Sequence, residues 1–317
     1  MLDGRSISRR PSTSDRVALV SCFFNSTGSS RLVENLRAFV DGLGVYKPAL
    51  HLVECLPPGQ RSALDGLDNL HVVHAESVLW QKERLLNLAV ESLPDSVEAV
   101  VWCDTDIIFA DPDWVPQTLE KLQDVDVLQP FRHVAQVPRL GDAPVESYAS
   151  AVTENPDLAG LRFHQHGHTG YAWGIRRDVI QSVGFFDECV IGGADHVMAH
   201  AFTGTPRCDC IPPLLGTESR LQRSYEAWAD RLWAEHGPLK MGFLDLDIEH
   251  RRHGSDKGRK YLVRNKLLEM SGFDPSQHLV RNQWDCWEWS PSATAQRDLV
   301  KAYFSQRKED VAYDAVT

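Results

Sequence analysis

From Arg16 to Pro130, apolar runs of strand length alternate with segments whose apolar residues recur at helical spacing. That alternation is the strongest constraint on the fold, because strands linked by helices return parallel to one another in a single covered sheet. RVALVSCFFN (16–25) is a buried strand ending at Asn25. The following helix has Leu32, Leu36, Phe39, Val40 and Leu43 on one face and a serine at its start. PALHLVEC is a second strand with Glu54 at its end, and LHVVH is a third. WQKERLLNLAVESLP is a helix stopped by Pro94, EAVVWC a strand running into Asp104, WVPQTLEKLQD a helix and VDVLQP a strand. The expected class is α/β, with a mainly parallel central sheet flanked by helices.

Beyond Pro130 the alternation weakens. Residues 133–162 read as a loop with one short helix around Tyr148 to Val152. GYAWGIRRDVIQSVG is strand then helix, GGADHVMAHAF a helix behind two glycines, and ESRLQRSYEAWADRLWAEHG an amphipathic helix ended by Gly237. KMGFLDLDIEHRRHG is a strand leading into a His/Arg loop. Helices follow at GRKYLVRNKLLEM and near 292–306. This organisation divides the chain into a loose tail at 1–15, a core domain at 16–265 and a helical C-terminal extension at 266–317, packed on the core.

The 317 residues are 43% hydrophobic, enough for a sizeable core. A net charge of −11 disfavours nucleic-acid backbones as partners. An anionic ligand would have to be met by a metal or by a few placed Lys and Arg. The seven cysteines are an odd number, and three sit in strand-like runs, as buried thiols in a reducing compartment would. Cys208 and Cys210 form a CxC with no second cysteine pair, which does not make a zinc motif. The N-terminus lacks an apolar leader region and no apolar run reaches membrane-spanning length, so the expected location is cytoplasmic, without a transmembrane segment.

The chemistry-bearing residues gather at strand ends, where ligands bind in open α/β sheets. Asp104 and Asp106 of VVWCDTDIIF flank Thr105. Alternate residues of an extended segment share a side, so these carboxylates repel unless a cation screens them, and Mn²⁺ or Mg²⁺ suits such a site. A solvated strand end is the alternative. Lys82 is a candidate phosphate contact, Asn87 a cap or loop-positioning residue, and Glu83 part of an exposed first helical turn. Glu54 can accept from a base or ribose hydroxyl.

Asp195 follows Gly192 and Gly193 at a helix start, either as an N-cap or as a proton acceptor beside a glycine-lined opening. His253, in HRRHG, is a candidate third metal ligand beside the DxD. Arg259, Lys260 and Tyr261 can offset diphosphate charge. In HQHGH, His166 and His168 lack a matching Asp/His set and are not assigned as ligands. Trp284, Trp287 and Trp289 read as a plug packing the C-terminal segment rather than as a stacking platform.

Taken in order, VVWCDTDIIF, GYAWG, GFFDECVIGGADHVM and HRRHG resemble GT-A-fold, nucleotide-sugar-dependent glycosyltransferases. GFFDE…GGADH is similar to the galactosyltransferase C-terminal motif, in which a Gly-Phe-x-Asp-Glu run leads to Gly-Gly-Glu-Asp. The resemblance implies a GT-A, Rossmann-like catalytic domain over roughly residues 16–265. It implies a hexosyltransferase-like enzyme that moves sugar from a nucleoside diphosphate sugar, UDP-sugars favoured, to a saccharide or other hydroxyl acceptor. Asp104 and mainly Asp106 would hold Mn²⁺ (or Mg²⁺), with His253 as the late ligand. Asp195 would be the base of an inverting reaction. Phe24, Asn25 and Glu54 would line the nucleotide site, and Gly170, Tyr171, Trp173 and Gly193 would border donor sugar and acceptor. Ala194 stands where the motif has Glu, removing a carboxylate that would help hold acceptor or sugar. Two alternatives remain: a phosphatase of the haloacid dehalogenase type using the DxD, and a non-catalytic sugar- or nucleotide-binding module.

Overall fold

A computed structural model describes residues 13–62, 64, 66–137, 145–155, 157, 166–254, 261–307 and 309–310. A short turn α1 (Thr13–Arg16) leads into β1 (Val17–Phe24), followed by α2 (Ser30–Gly42), β2 (Leu50–Leu56), β3 (Leu70–His74) and α3 (Lys82–Glu91). Next come β4 (Ala99–Cys103), β5 (Ile107–Phe109), α4 (Trp114–Lys121), β6 (Val127–Gln129), β7 (His133–Val137) and β8 (Val145–Ser150). The second half holds β9 (Ala172–Arg176), α5 (Arg177–Val183), α6 (Ala194–Phe202), α7 (Ile211–Leu215), α8 (Arg220–His236), β10 (Met241–Phe243) and β11 (Asp247–Arg251). Helix α9 (Tyr261–Met270), the hairpin β12 (Leu279–Arg281)–β13 (Trp287–Trp289) and α10 (Thr294–Gln306) close it.

The fold is mixed α/β around a seven-stranded sheet of order β10-β6-β9-β4-β1-β2-β3. All its pairings are parallel except those of β9, which runs antiparallel between β4 and β6. Near-continuous apolar strands follow from burial on both faces. In β1, Val17 and Leu19 enter one core while Ala18 and Val20 enter the other; in β4, Ala99 and Val101 oppose Val100 and Trp102 in the same way.

The first half matches the sequence expectation. The larger differences come later and have a common cause, pairing between distant segments. Residues 133–137 and 145–150 are strands rather than loop and helix, because β7 pairs in parallel with β11, more than 100 positions along the chain. KMGFLDLDIEHRRHG is two strands rather than one: β10 extends the large sheet, and β11 joins a second sheet of order β5-β11-β7-β8. Glu54 is inside β2, not at its end.

Helix α3 is covered all round: every residue from Lys82 to Val90 is buried. It packs on β1 and β2, and the C-terminal hairpin closes over it. Gln81 donates to the Trp287 carbonyl (2.7 Å), and Arg84 donates to the Asp285 carbonyl (2.9 Å) and carboxylate (2.7 Å). Leu268, Phe273, Cys286, Trp289 and Val300 share one core cluster with Leu85 and Leu86, so the C-terminal segment contributes to the main core. Trp289 is the plug; Trp284 is exposed. Among the described residues, no helix is long and apolar enough to cross a membrane.

Candidate functional site

Strand β4 ends at Cys103, and the chain turns into β5 through Asp104, Thr105 and Asp106. Two different neighbours hold this turn. The Asp104 N–H donates to the Tyr171 carbonyl (2.8 Å), just before β9, and the Arg251 N–H donates to the Asp106 carbonyl (2.7 Å). The two aspartates are thereby separated into distinct environments.

Asp106 faces the second sheet. The antiparallel register of β5 on β11 sets Ile107 against His250, which brings His250 beside Asp106. Asp106 Oδ2 lies 3.2 Å from His250 Nε2 and 3.0 Å from His253 Nε2. These three residues form a group whose donor atoms all lie within 4.8 Å of one another. The far side of each imidazole already has an acceptor: His250 Nδ1 meets Gln136 Oε1 at 2.8 Å, and His253 Nδ1 meets Glu309 Oε2 at 2.8 Å. These outer contacts turn the Nε2 atom of each ring to the carboxylate. Asp106 Oδ1 is buried with no partner among the described residues. Burial pushes the Asp106 carboxyl up, but His250 and His253 outweigh it and hold it well below the usual carboxylate range. One carboxylate, two imidazole Nε2 atoms and an orphaned oxygen fit a divalent cation.

Asp104 does not join that group. Its Oδ1 lies 2.5 Å from Lys82 Nζ, at the first turn of α3. The Asp104 charge, expected to share a metal with Asp106, is met here by Lys82. Burial works against the Lys82 ammonium, yet Asp104, Asp195 and Glu83 together hold its pKa above the ordinary lysine value. Glu83, expected on an exposed turn, is 2% exposed, and burial pushes its carboxyl up to about 8.

Asp195 is the second residue of α6, partly exposed. Its position as N-cap is corrected: Gly193, at φ 103°, is the cap, and Asp195 Oδ1 accepts from the His196 N–H (3.0 Å). A Cβ added at Gly170 would lie 2.9 Å from Asp195 Oδ2 and 3.1 Å from His168 Cε1, so glycine keeps the approach to that carboxylate open. His168 Nδ1 accepts from the Gly170 N–H (3.0 Å), and burial lowers its pKa to about 4. The neutral ring therefore carries its proton on Nε2. Tyr171, in the left-handed region at φ 77°, stacks on His168 at 4.1 Å and lies 5.0 Å from His250. Backbone strain of this kind persists only where the surroundings impose it.

Other expected residues are placed differently. Trp173 is 1% exposed, stacks on Trp102 and donates to the Thr169 carbonyl, so it is core rather than a sugar contact. Asn87, expected as a cap or loop-positioning residue, gives its amide to the Phe185 backbone and Asp187 and pins GFFDE. Asn25 organises its own loop through Ser29 and Thr27. Phe24, half-buried, packs edge-on against Trp80 (5.1 Å). Glu54 is 3% exposed, and its Oε2 has no partner among the described residues. Arg259 and Lys260 lie outside the described residues, as does the side chain of Tyr261.

The sequence reading missed His250 as a ligand and also missed Gln136, Glu309 and the Lys82–Asp104 pair. The signal for His250 was present in EHRRH, two histidines three apart at a strand end.

No family model matches the chain, and no curated protein matches it. Solved structures do show likeness. A mannosyltransferase from Pyrobaculum calidifontis in complex with GDP-Man and Mn²⁺ is 12% identical, with 92% of this chain and 69% of that one covered and a TM-score of 0.41. Glucosyl-3-phosphoglycerate synthase from Mycobacterium tuberculosis with Mg²⁺ and UDP is 17% identical over 87% of each chain, with a TM-score of 0.37. The catalytic domain of Drosophila β1,4-galactosyltransferase 7 with xylobiose is 15% identical, with a TM-score of 0.32, and the match spans 60% of that chain and of this one. Likenesses this loose decide nothing about chemistry, which has to come from the side chains described above.

Proposed function

We propose that the chain is a metal-dependent glycosyltransferase that moves a sugar from a nucleoside diphosphate sugar, UDP-sugars favoured, to an acceptor hydroxyl. The convergence of Asp106 Oδ2 with the Nε2 atoms of His250 and His253, at the carboxyl end of β4, carries this reading. Asp106, His250 and His253 would hold a divalent cation, whose chemistry is Lewis-acid neutralisation of a departing diphosphate. Two imidazoles among three donors favour Mn²⁺ over Mg²⁺, which prefers oxygen ligands.

The chain's own residues supply the rest. Lys82 neutralises Asp104 and so keeps the carboxylate-rich opening from repelling an anionic donor. Asp195, with Oδ2 facing the gap that Gly170 leaves, takes the acceptor hydroxyl proton; as a base opposite the leaving group, it makes the reaction inverting. His168, neutral with its proton on Nε2, borders the same gap. Ala194 is fully buried, so the carboxylate missing from the motif leaves no opening of its own.

The phosphatase alternative loses support. It needs the first aspartate of the pair beside the cation, whereas the candidate metal group is Asp106, His250 and His253. The test incubates the full chain with a panel of nucleotide sugars and Mn²⁺ and measures free nucleoside diphosphate. Metal-dependent release with one donor is expected, and its abolition in Asp106→Ala. Release from no donor, together with hydrolysis of a generic phosphate ester, would overturn the reading.

A further inference from the structure

Behind Asp195, a second set of side chains converges that the transfer reaction does not use. His196 and His200 lie one turn apart on α6, His166 comes from the segment before β9, and Cys210 from the residue before α7. One ligand atom from each lies within 4.8 Å of the others, and His196, His200 and Cys210 are buried. His196 Nε2 is 3.0 Å from His200 Nε2, and Cys210 Sγ is 3.6 Å from His166 Nε2. Around a tetrahedral Zn²⁺ with the usual bond lengths, the N···N edge is about 3.3 Å and the N···S edge about 3.6 Å.

The outer faces of the three rings are already engaged. His166 Nδ1 lies 2.8 Å from the Gly167 carbonyl, which only accepts, so Nδ1 carries that ring's proton. His200 Nδ1 meets Thr205 Oγ1 at 3.0 Å, and that hydroxyl is directed to the His200 carbonyl. His196 Nδ1 lies 3.4 Å from Thr169 Oγ1. The inward atom is Nε2 in every case, the arrangement in which outer hydrogen bonds orient ligating histidines. Burial keeps His196 and His200 neutral, the form that binds metal. Gly167 fits the same scheme: a Cβ there would fall 2.5 Å from the Ala151 carbonyl oxygen, so glycine lets the chain pass close enough to bring His166 inward.

We propose that His166, His196, His200 and Cys210 form a closed, structural Zn²⁺ site, separate from the Asp106 centre. Four protein ligands leave no open position, so the ion performs no chemistry on substrate. It joins α6 to the segment 166–170 and to the residue before α7. Asp195 is adjacent to ligand His196, and His168 and Gly170 follow ligand His166. The zinc therefore fixes the distance across the gap in which Asp195 works.

The test uses the full chain, purified without a histidine tag or chelating resin. Elemental analysis should find about one zinc per chain, retained in Asp106→Ala and lost in Cys210→Ser and His200→Ala. Replacement by Co²⁺ should give the visible absorption of a tetrahedral ion with a thiolate charge-transfer band, and Cys210→Ser should remove that band. In the wild type, a chelator should lower Tm, and added Zn²⁺ but not Mg²⁺ should restore it. This last measurement keeps the proposal falsifiable if the variants fail to fold. A chain without zinc that takes up no Co²⁺ would overturn it, as would a Co²⁺ spectrum unchanged in Cys210→Ser. Zinc content is independent of turnover, so failure of the transferase reading would leave these outcomes intact.

Discussion

At Asp106, one oxygen meets two imidazoles and the other meets nothing among the described residues, an arrangement that a cation completes. Asp106→Ala should lower Mn²⁺-dependent turnover by at least about 100-fold, and a Mn²⁺ titration followed by electron paramagnetic resonance should show weakened binding. Asp195→Asn keeps the shape but removes the proton acceptor, so kcat should fall about 100- to 10,000-fold with the donor KM close to wild type. Near wild-type turnover would remove Asp195 as the base. Glu83 offers a test by pH. Its folded carboxyl titrates near 8 because of burial, above its ordinary value of 4.5. The folded state therefore holds a proton that the unfolded state has lost across that window. Its contribution is fully present below about pH 4.5 and declines as pH rises to about 8, by at most about 1.4 kcal/mol per pH unit. Thermal unfolding from pH 5 to 8 should show Glu83→Gln losing less stability than wild type; parallel curves would contradict the burial argument.

At the level of elements, the site depends on segments that hold functional residues without touching ligand. Asn87 of α3 clamps the Phe185 backbone from both sides and also holds Asp187, fixing the run that leads to Gly193 and Asp195. Asn87→Ala leaves those buried groups unpaired, at a cost of about 1–3 kcal/mol. It should lower kcat by displacing α6 while Mn²⁺ affinity, set on β5 and β11, stays unchanged; a parallel loss of Mn²⁺ binding would refute the separation. The strands themselves were legible where the pattern is local. The apolar runs of β1, β2 and β4 announce burial on two faces, and DxD announces a strand end. Strands β7 and β8 were not legible, because β7 is paired by β11, which arrives late in the chain.

Across the whole molecule, Arg84 links α3 to Asp187 and to Asp285 of the C-terminal hairpin, with a side chain only 2% exposed. Arg84→Met removes the cation and leaves Asp187, itself nearly buried, with the Asn87 amide but without the guanidinium. Unfolding should cost about 3–5 kcal/mol less, with the C-terminal hairpin becoming the first site of proteolysis. A variant as stable as wild type would show that the hairpin is held without the Arg84 contacts.

The amino-acid sequence by itself determined the alternating α/β half, the strand end bearing Asp104 and Asp106, and the glycine pair before Asp195. Each follows from residues close in the chain, where spacing decides which face a side chain takes. Tertiary structure decided which charges meet. It gave Asp104 to Lys82, gave Asp106 to His250 and His253, buried Glu83, and drew Cys210 to three histidines that share no sequence motif with it. Those contacts depend on register between segments that only the packed sheets bring together, and no local period encodes them.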